Sequence, residues 1–498
     1  MATPRRSMLF SLVTLCSLGL LVVPTPADAR PAAPAAVTDP DLAGKLDAVL
    51  KTSAVTKATV GVLVADSASG DELYSRSAAT AISPASNMKL LTSAASLDLL
   101  GPEYRFDTRV YAPATPSADG TVSSLYLRGN GDPTLLESDL KSLAAQLKAA
   151  GVRRVSGAVI GDGGYFDNDK YNDYWNPNDY NSSYAAQISG LTLSPSSAFK
   201  VGTIQVTYKP GSKTGKKAVL GVVPATAAGY LKLVNKTTTT KAGSGASVGV
   251  RRSNGTNTVT VSGRVALKRS TVAATVTISN PARYVAHVFR NVLRASGIVV
   301  DGSATTGSLP TARVSLASDT SVPLSTIVRT LMKPSNNGMT EHLIKTLGRS
   351  GDKAGTWKAG SARVLSWLKS TQSVPSTVQI VDGSGLAHRN KLTAQVLVRV
   401  LQYARTRTWF GIFHDALPLA GNADPAIGGT LSSRMRGTPA QNNLRAKTGT
   451  LSGVTALSGY VSDTTGQLYT FSMLGRYTGT SPRPVFDKVG AALAGWNR

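Results

Sequence analysis

Ser86 and Lys89 stand three residues apart in PASNMKLLTSAASLDLLG, residues 84–101, whose apolar positions predict a helix ending at Gly101. At that spacing both side chains share one face of the helix start. A serine hydroxyl needs a base to become a nucleophile, and a neutral lysine amine can be that base. Burial and the positive end of the helix dipole both disfavour the ammonium, the direction such a lysine requires. Ser335 and Asn337 in MKPSNNGMTEHLIKTLG, residues 332–348, place a hydroxyl and a carboxamide just before a second predicted helix. The first can pass a proton and the second can bind a substrate amide. Lys-Thr-Gly occurs twice, at 213–215 and at 447–449, and three letters do not say which copy carries chemistry.

Context separates these groups from their look-alikes. Ser-x-x-Lys recurs at Ser138–Lys141, Ser197–Lys200, Ser350–Lys353 and Ser366–Lys369. Only at Ser86 does an apolar helix follow directly and a hairpin precede; the other four read as capping serines beside solvated lysines. Lys213-Thr214-Gly215 comes before the Ser335-x-Asn337 pair, thirteen residues after Lys200, in a stretch rich in Lys, Thr and Gly, and reads as a solvated basic turn. Residues 245–249, GASVG, match a nucleophile elbow, which needs an apolar strand before it and a helix after it. NKTTTTKAGS and VRRSNGTN supply neither, so an α/β-hydrolase is disfavoured.

The elements that must position these side chains come from both ends of the chain. TVGVLVAD and ELYSRS flank a turn at 67–71, and GVTALSGYVS and QLYTFSMLG flank a turn at 463–466; both pairs read as antiparallel hairpins of one sheet. Helices are predicted at 41–50 and from Pro484 onward. Residues 203 to about 278 alternate Val and Thr with Lys, Gly and Ser and read as strands. At Asn280-Pro281 the pattern switches to a capped helix, with Tyr284, Val285, Val288 and Leu293 on its apolar face. The expected organisation is a discontinuous catalytic domain, 40–105 plus 280–498, interrupted by an inserted region, 106–279, in two subdomains of about 106–202 and 203–279.

Arg5 and Arg6, an apolar run from Met8 to Val23, and Ala27-Asp28-Ala29 read as a signal peptide over residues 1–29, followed by a leader at 30–39. No later run reaches the roughly 18 apolar residues of a membrane span, so the mature chain is expected to be secreted without a stable span. The one cysteine, Cys16, lies in the signal, which leaves no thiol for disulfides or thiolate metal sites. His287, His342, His388 and His414 are scattered, and no metal or cofactor is expected. The net charge is +26, and +25 once Arg5, Arg6 and Asp28 leave with the signal. Such a surplus suits a polyanionic partner, and secretion favours anionic wall polymers over nucleic acid.

Ser86-x-x-Lys89, Ser335-x-Asn337 and Lys447-Thr448-Gly449, in that order, resemble the ordered set of active-serine penicillin-recognising enzymes. The chain further resembles the S13 peptidases, the class C low-molecular-mass penicillin-binding proteins, which are D-alanyl-D-alanine carboxypeptidases and endopeptidases. GNGDPTL at 129–135, SAASLDLLGP, NPARYVAHVFRNVLRASGIVVDG at 280–302, VDGSGLAHRNKLT at 381–393 and LSSRMRGTPAQNNLRAKTGTLSGVTALSGYV at 431–461 carry that resemblance. Ser86 and Ser335 lie 249 residues apart, which fits that family's long insertion and exceeds a compact class A β-lactamase.

The resemblance implies an α/β (α+β) transpeptidase/β-lactamase-like domain, an antiparallel sheet flanked by helices, with a large mainly β insertion. It also implies acyl transfer on peptidoglycan stem peptides: Ser86 attacks, Lys89 is the base, and Ser335 passes the proton to the leaving amine. Asn337 would hold the substrate amide, Lys447 and Thr448 the terminal carboxylate, beside Gly449, and the backbone N–H groups of Ser86 and Thr450 would form the oxyanion hole. β-Lactams would stall at the acyl-enzyme. The segment 161–180, GDGGYFDNDKYNDYWNPNDY, holds five aspartates, and Asp167 is the expected partner of a stem-peptide ammonium. Where the family stretch reads DGSGLSR, this chain has Ala387 and His388 in the last two places, though Asp382, Gly383, Ser384 and Gly385 match. A β-lactamase or esterase on the same scaffold, and a non-catalytic wall-binding protein, are the alternatives.

Overall fold

A computed structural model describes residues 39–497. The expected signal peptide, and the leader but for its last residue, lie outside those residues. Among the described residues no helix is long and apolar enough to cross a membrane.

Both predicted hairpins form and join into one five-stranded antiparallel sheet. Its order is Arg445–Leu451, Val454–Ser462, Leu468–Arg476, Thr59–Asp66, Glu72–Arg76. The last strand made, Leu468–Arg476, therefore sits in the middle, paired on one side with the first. TVGVLVAD reads as a continuous apolar run because the strand is buried on both faces. Val62 and Val64 face a core closed by the terminal helices Pro40–Leu50 and Arg483–Ala494. Leu63 and Ala65 face the opposite way, onto Ala394 and Val398 of the helix Ala394–Arg405. On that second side lies the main core, built by Met88–Leu100, Leu324–Met332, Asn337–Leu347 and Trp357–Thr371.

The inserted region has its own core. A mixed five-stranded sheet, in the order Ala304–Thr306, Val159–Asp162, Leu125–Gly129, Asp107–Ala112, Val314–Thr320, packs against the helices Glu137–Ala149 and Pro281–Ala295. Two three-stranded sheets drawn from residues 203–277 extend it, and Ile204, Val206, Val259 and Val261 share its core.

The boundary expected at 280 is displaced. The capped helix does start there, with Asn280 accepting from the Arg283 N–H at 3.2 Å and Pro281 in the first turn. Its apolar face, however, with Tyr284, Val285, Val288 and Leu293, is buried in the inserted core, and Val314–Thr320 pairs with Asp107–Ala112. The chain rejoins the main core at Leu324. A helix start reports a local change of structure, while core membership depends on which sheet the apolar face meets.

Candidate active site

The predicted helix begins one turn later than the pattern suggested: residues Ala85–Asn87 form a 3₁₀ turn and the α-helix runs from Met88 to Leu100. Asn87, at the cap position, does not cap. Its Nδ2 donates to Ser458 Oγ at 2.6 Å, and Ser458 bonds Ser472 at 2.8 Å, so the turn is tied to the central strands of the sheet. Ala85 holds a left-handed φ of 45°, a strained conformation for a residue with a side chain. Two glycines wall it in. A Cβ on Gly385 would lie 1.8 Å from Ala85 O, and one on Gly449 would lie 2.7 Å from Pro84 O and 3.2 Å from Ala85 Cβ. The glycine of Lys447-Thr448-Gly449 is thus where the edge strand touches the turn that carries Ser86.

Lys89 is fully buried. Its Nζ lies 3.1 Å from Ser86 Oγ, 2.7 Å from Asn337 Oδ1 and 2.8 Å from Ser384 O. The orientation of the Asn337 amide follows from its other contact, because Nδ2 donates to the Tyr184 carbonyl at 3.0 Å and a carbonyl can only accept. Two of the three neighbours of Lys89 are therefore acceptors only, and the third is a hydroxyl. Burial lowers the Lys89 pKa to about 7, against the opposing pull of Glu341 and Asp382.

The three sequence groups come together. Lys89 bonds Asn337 directly. The Lys333 carbonyl, just before Ser335, accepts from Thr430 N at 3.1 Å, and the Thr430 hydroxyl meets Thr448 Oγ1 at 2.7 Å. Ser335 is half-buried with φ 60°, and among the described residues no hydrogen bond engages its hydroxyl. Lys447 is fully buried, and among the described residues Thr448 O, at 2.9 Å, is the one acceptor of its Nζ. Burial, reinforced by Lys89, holds its pKa well below the ordinary lysine value. Thr450 lies in the same edge strand, opposite Thr455.

Asp167 is engaged elsewhere. Its Oδ1 accepts from Lys345 Nζ at 2.5 Å; that lysine is fully buried, donates also to Asp169 O at 2.6 Å and lies 3.8 Å from the centre of the Trp357 ring. Of the five aspartates in the acidic segment, Asp179 leads to the Lys89 group by a short path. It accepts from the Tyr184 hydroxyl at 2.7 Å, and Tyr184 O receives Asn337.

Sequence reading gave no role to a pair of buried carboxylates behind Lys89, Glu341 and Asp382. Glu341 accepts from the N–H groups of Ser384 (2.7 Å) and Gly383 (3.1 Å) and from Trp357 Nε1 (2.7 Å). Asp382 accepts from Gly385 N, Ala387 N, Trp175 Nε1 and Asn390 Nδ2 at 2.7 to 2.9 Å. Together they hold the loop 382–385 so that Ser384 O meets Lys89. Burial raises Glu341 to about 7, with the Asp382 charge adding to it, and burial likewise raises Asp382. The signal was the DGSG match itself, a carboxylate followed by small residues. At the departure noted above, Ala387 is buried and gives Asp382 a backbone N–H, His388 is exposed, and Arg389 stacks 4.6 Å from the centre of the Tyr174 ring.

Residues 42–494 match the D-Ala-D-Ala carboxypeptidase 3 (S13) family. A D-alanyl-D-alanine carboxypeptidase of Actinomadura sp. (strain R39) is 40% identical over 459 residues, 91% of this chain and 84% of that protein. A carboxypeptidase of Mycolicibacterium smegmatis is 34% identical over 179 residues, 35% of this chain and 38% of that protein. Among solved structures, penicillin binding protein 4 of Haemophilus influenzae superposes with a TM-score of 0.75 at 21% identity, covering 91% of this chain and 98% of that one. A family match across nearly the whole described chain, a relative at 40% identity, and a shared fold lead to one conclusion: the chain belongs to the D-Ala-D-Ala carboxypeptidase 3 (S13) family.

Proposed function

We propose that this S13 enzyme is a secreted serine DD-peptidase that cleaves D-alanyl-D-alanine, or peptide cross-links, of peptidoglycan through an acyl-enzyme on Ser86. The observation that carries the assignment is the set of neighbours around Lys89 Nζ. A neutral amine has two N–H donors and one lone pair. Asn337 Oδ1 and Ser384 O take the donors, which leaves the lone pair for the Ser86 hydroxyl.

Lys89 accepts the proton as Ser86 Oγ attacks the carbonyl between the two D-alanines. The N–H groups of Ser86 and Thr450 stabilise the oxyanion, each worth about 3 kcal/mol by analogy with other hydrolases. The proton then passes through the Ser335 hydroxyl to the leaving amine, and water, deprotonated by the same lysine, releases the acyl group. Lys447, whose Nζ has a donor to spare and would be held protonated by an incoming anion, receives the terminal carboxylate with Thr448 beside it. A β-lactam presents the same carbonyl and carboxylate, and its tethered leaving group blocks the water step.

Asp167, already paired with Lys345, serves by fixing that buried lysine beneath the acidic segment. Asp179, half-buried and linked to Asn337 through Tyr184, is the better candidate for a stem-peptide ammonium.

The test is incubation of purified protein with a labelled penicillin, followed by peptide mapping. A durable adduct on Ser86, absent in Ser86→Ala, is expected. Labelling that persists in Ser86→Ala would sink the assignment, rapid turnover of the adduct would indicate a β-lactamase, and no adduct at all a non-catalytic wall-binding protein.

A further inference from the structure

Between Tyr180 and Val300 the chain has no aspartate or glutamate and sixteen lysines and arginines. Among the described residues none of those sixteen forms an ion pair. Their placement is not diffuse. The strands Lys232–Thr240, Thr258–Ala266 and Ser247–Arg252 form a three-stranded sheet whose inner face contributes Val259 and Val261 to the core of the inserted region. Register then fixes what faces outward. Lys232 pairs with Thr258, Lys236 with Ser262, and Thr238 with Arg264, which in turn pairs with Ser247; Arg251 pairs with Thr260. Partners in register share a face. Lys232, Lys236, Arg251 and Arg264 therefore stand on one exposed face with threonine and serine hydroxyls between them.

The cationic surface continues along the Lys232–Thr240 edge of that sheet. The loop 211–218 is bonded along the edge strand, with Gly215 N donating to Thr239 O at 2.9 Å and Thr239 N to Lys216 O at 2.7 Å. Lys213, Lys216 and Lys217 are exposed there. Next to that loop, where the strands end at Thr240 and Ala266, loops 242–246 and 266–269 line an open cleft of about 380 Å³ beside Lys241, Lys268 and Arg269.

We infer that this face docks a linear phosphodiester polymer. Of the ten cations named on this surface seven are lysines, whose ammonium groups on flexible stems can follow a repeating phosphate backbone, and the arginine forks match phosphate oxygens as well. Interleaved hydroxyls donate to phosphate oxygens. The face carries no aromatic side chain, so it offers no platform on which nucleic-acid bases could stack. Held on such a polymer, the enzyme would meet local stem peptides at raised effective concentration. The inference does not depend on the acyl-transfer reading, since its readout is binding alone.

Binding of the full mature chain to synthetic poly(glycerol phosphate) is measured across salt concentrations. Four neutralised phosphates predict a slope of log K against log salt of about −3. The variant K232E/K236E/R251E/R264E, checked for an unchanged melting midpoint, is expected to bind more than tenfold more weakly with that slope largely lost. A control of equal charge change away from this face, K51E/K57E/K358E/K369E, is expected to lose less than threefold. An equal loss in the control would show a net-charge effect and overturn the assignment. So would poly-glutamate binding as tightly as the phosphate polymer, or oligo(dT) binding more tightly at equal phosphate. If the quadruple variant unfolds, the single variants K236E and R264E carry the test, each expected to reduce the slope by about 0.7.

Discussion

The same three residues, Lys-Thr-Gly, occur on two surfaces of this molecule and do opposite things. Lys213 is exposed on a loop, and Gly215 has a left-handed φ of 85° with nothing near the position of a Cβ. Lys447 is fully buried in an edge strand, and Gly449 sits against the turn that carries Ser86. The difference is the environment: one lysine stands in water, while burial strips the other of solvent and holds its pKa well below the ordinary lysine value. The contrast extends to the regions around them. Lys89, Glu341, Lys345, Asp382 and Lys447 are crowded and fully buried, whereas the lysines of the inserted sheet are exposed on one face.

Substitution can break that contrast, most sharply at Lys89, the proposed base. Lys89→Ala is expected to lower the rate of penicillin acylation about 10³-fold, while Lys213→Ala leaves it unchanged, as measured by stopped-flow labelling. Next come the glycines. Gly449→Ala must move the edge strand away from Pro84 O and is expected to cost about 100-fold in acylation, whereas Gly215→Ala costs only about 1 kcal/mol of stability and no activity. Asp167→Asn leaves Lys345 buried without its counter-charge; an unfolding free energy lower by about 3 kcal/mol is expected from chemical denaturation.

The pH profile sharpens the comparison further. Below about pH 7 Lys89 is protonated and has no lone pair, so acylation should fall about tenfold per unit as pH drops and level off above 7. Because the Glu341 charge raises the Lys89 pKa, Glu341→Gln should move that midpoint to lower pH; an unmoved midpoint would remove Glu341 from the electrostatics of the base. The smallest effect is expected from Lys213→Ala, Lys216→Ala and Lys217→Ala, each within about 0.5 kcal/mol of wild type.

How much of this was legible beforehand follows from which signals are local. The hairpins at 59–76 and 454–476, the helix after Ser86 and the cap at Asn280 all depend on neighbours in sequence, and all are present. The ordered Ser-Lys, Ser-Asn and Lys-Thr-Gly groups carried the family because their order survives any intervening insertion. Asp167 illustrates the limit. Its partner Lys345 is 178 residues away, and Glu341 and Lys345 have the four-residue spacing of an exposed helical pair, yet both are buried. Nothing in the spacing says that Trp357 and the loop 382–385 cover that face. The boundary at 280 fell for the same reason, since a helix pattern reveals an apolar face but not the sheet that will bury it.

The interleaving of the sheet sets an order of events for a chain made from its N-terminus. The turn that carries Ser86 is synthesised early, but the strand Arg445–Leu451 beside it, and the strand Leu468–Arg476 by which the second hairpin pairs with the first, come last. Contacts this distant in sequence make folding slow. They also act as a timer: until Arg445–Leu451 has been made, Ser86 has no edge strand beside it.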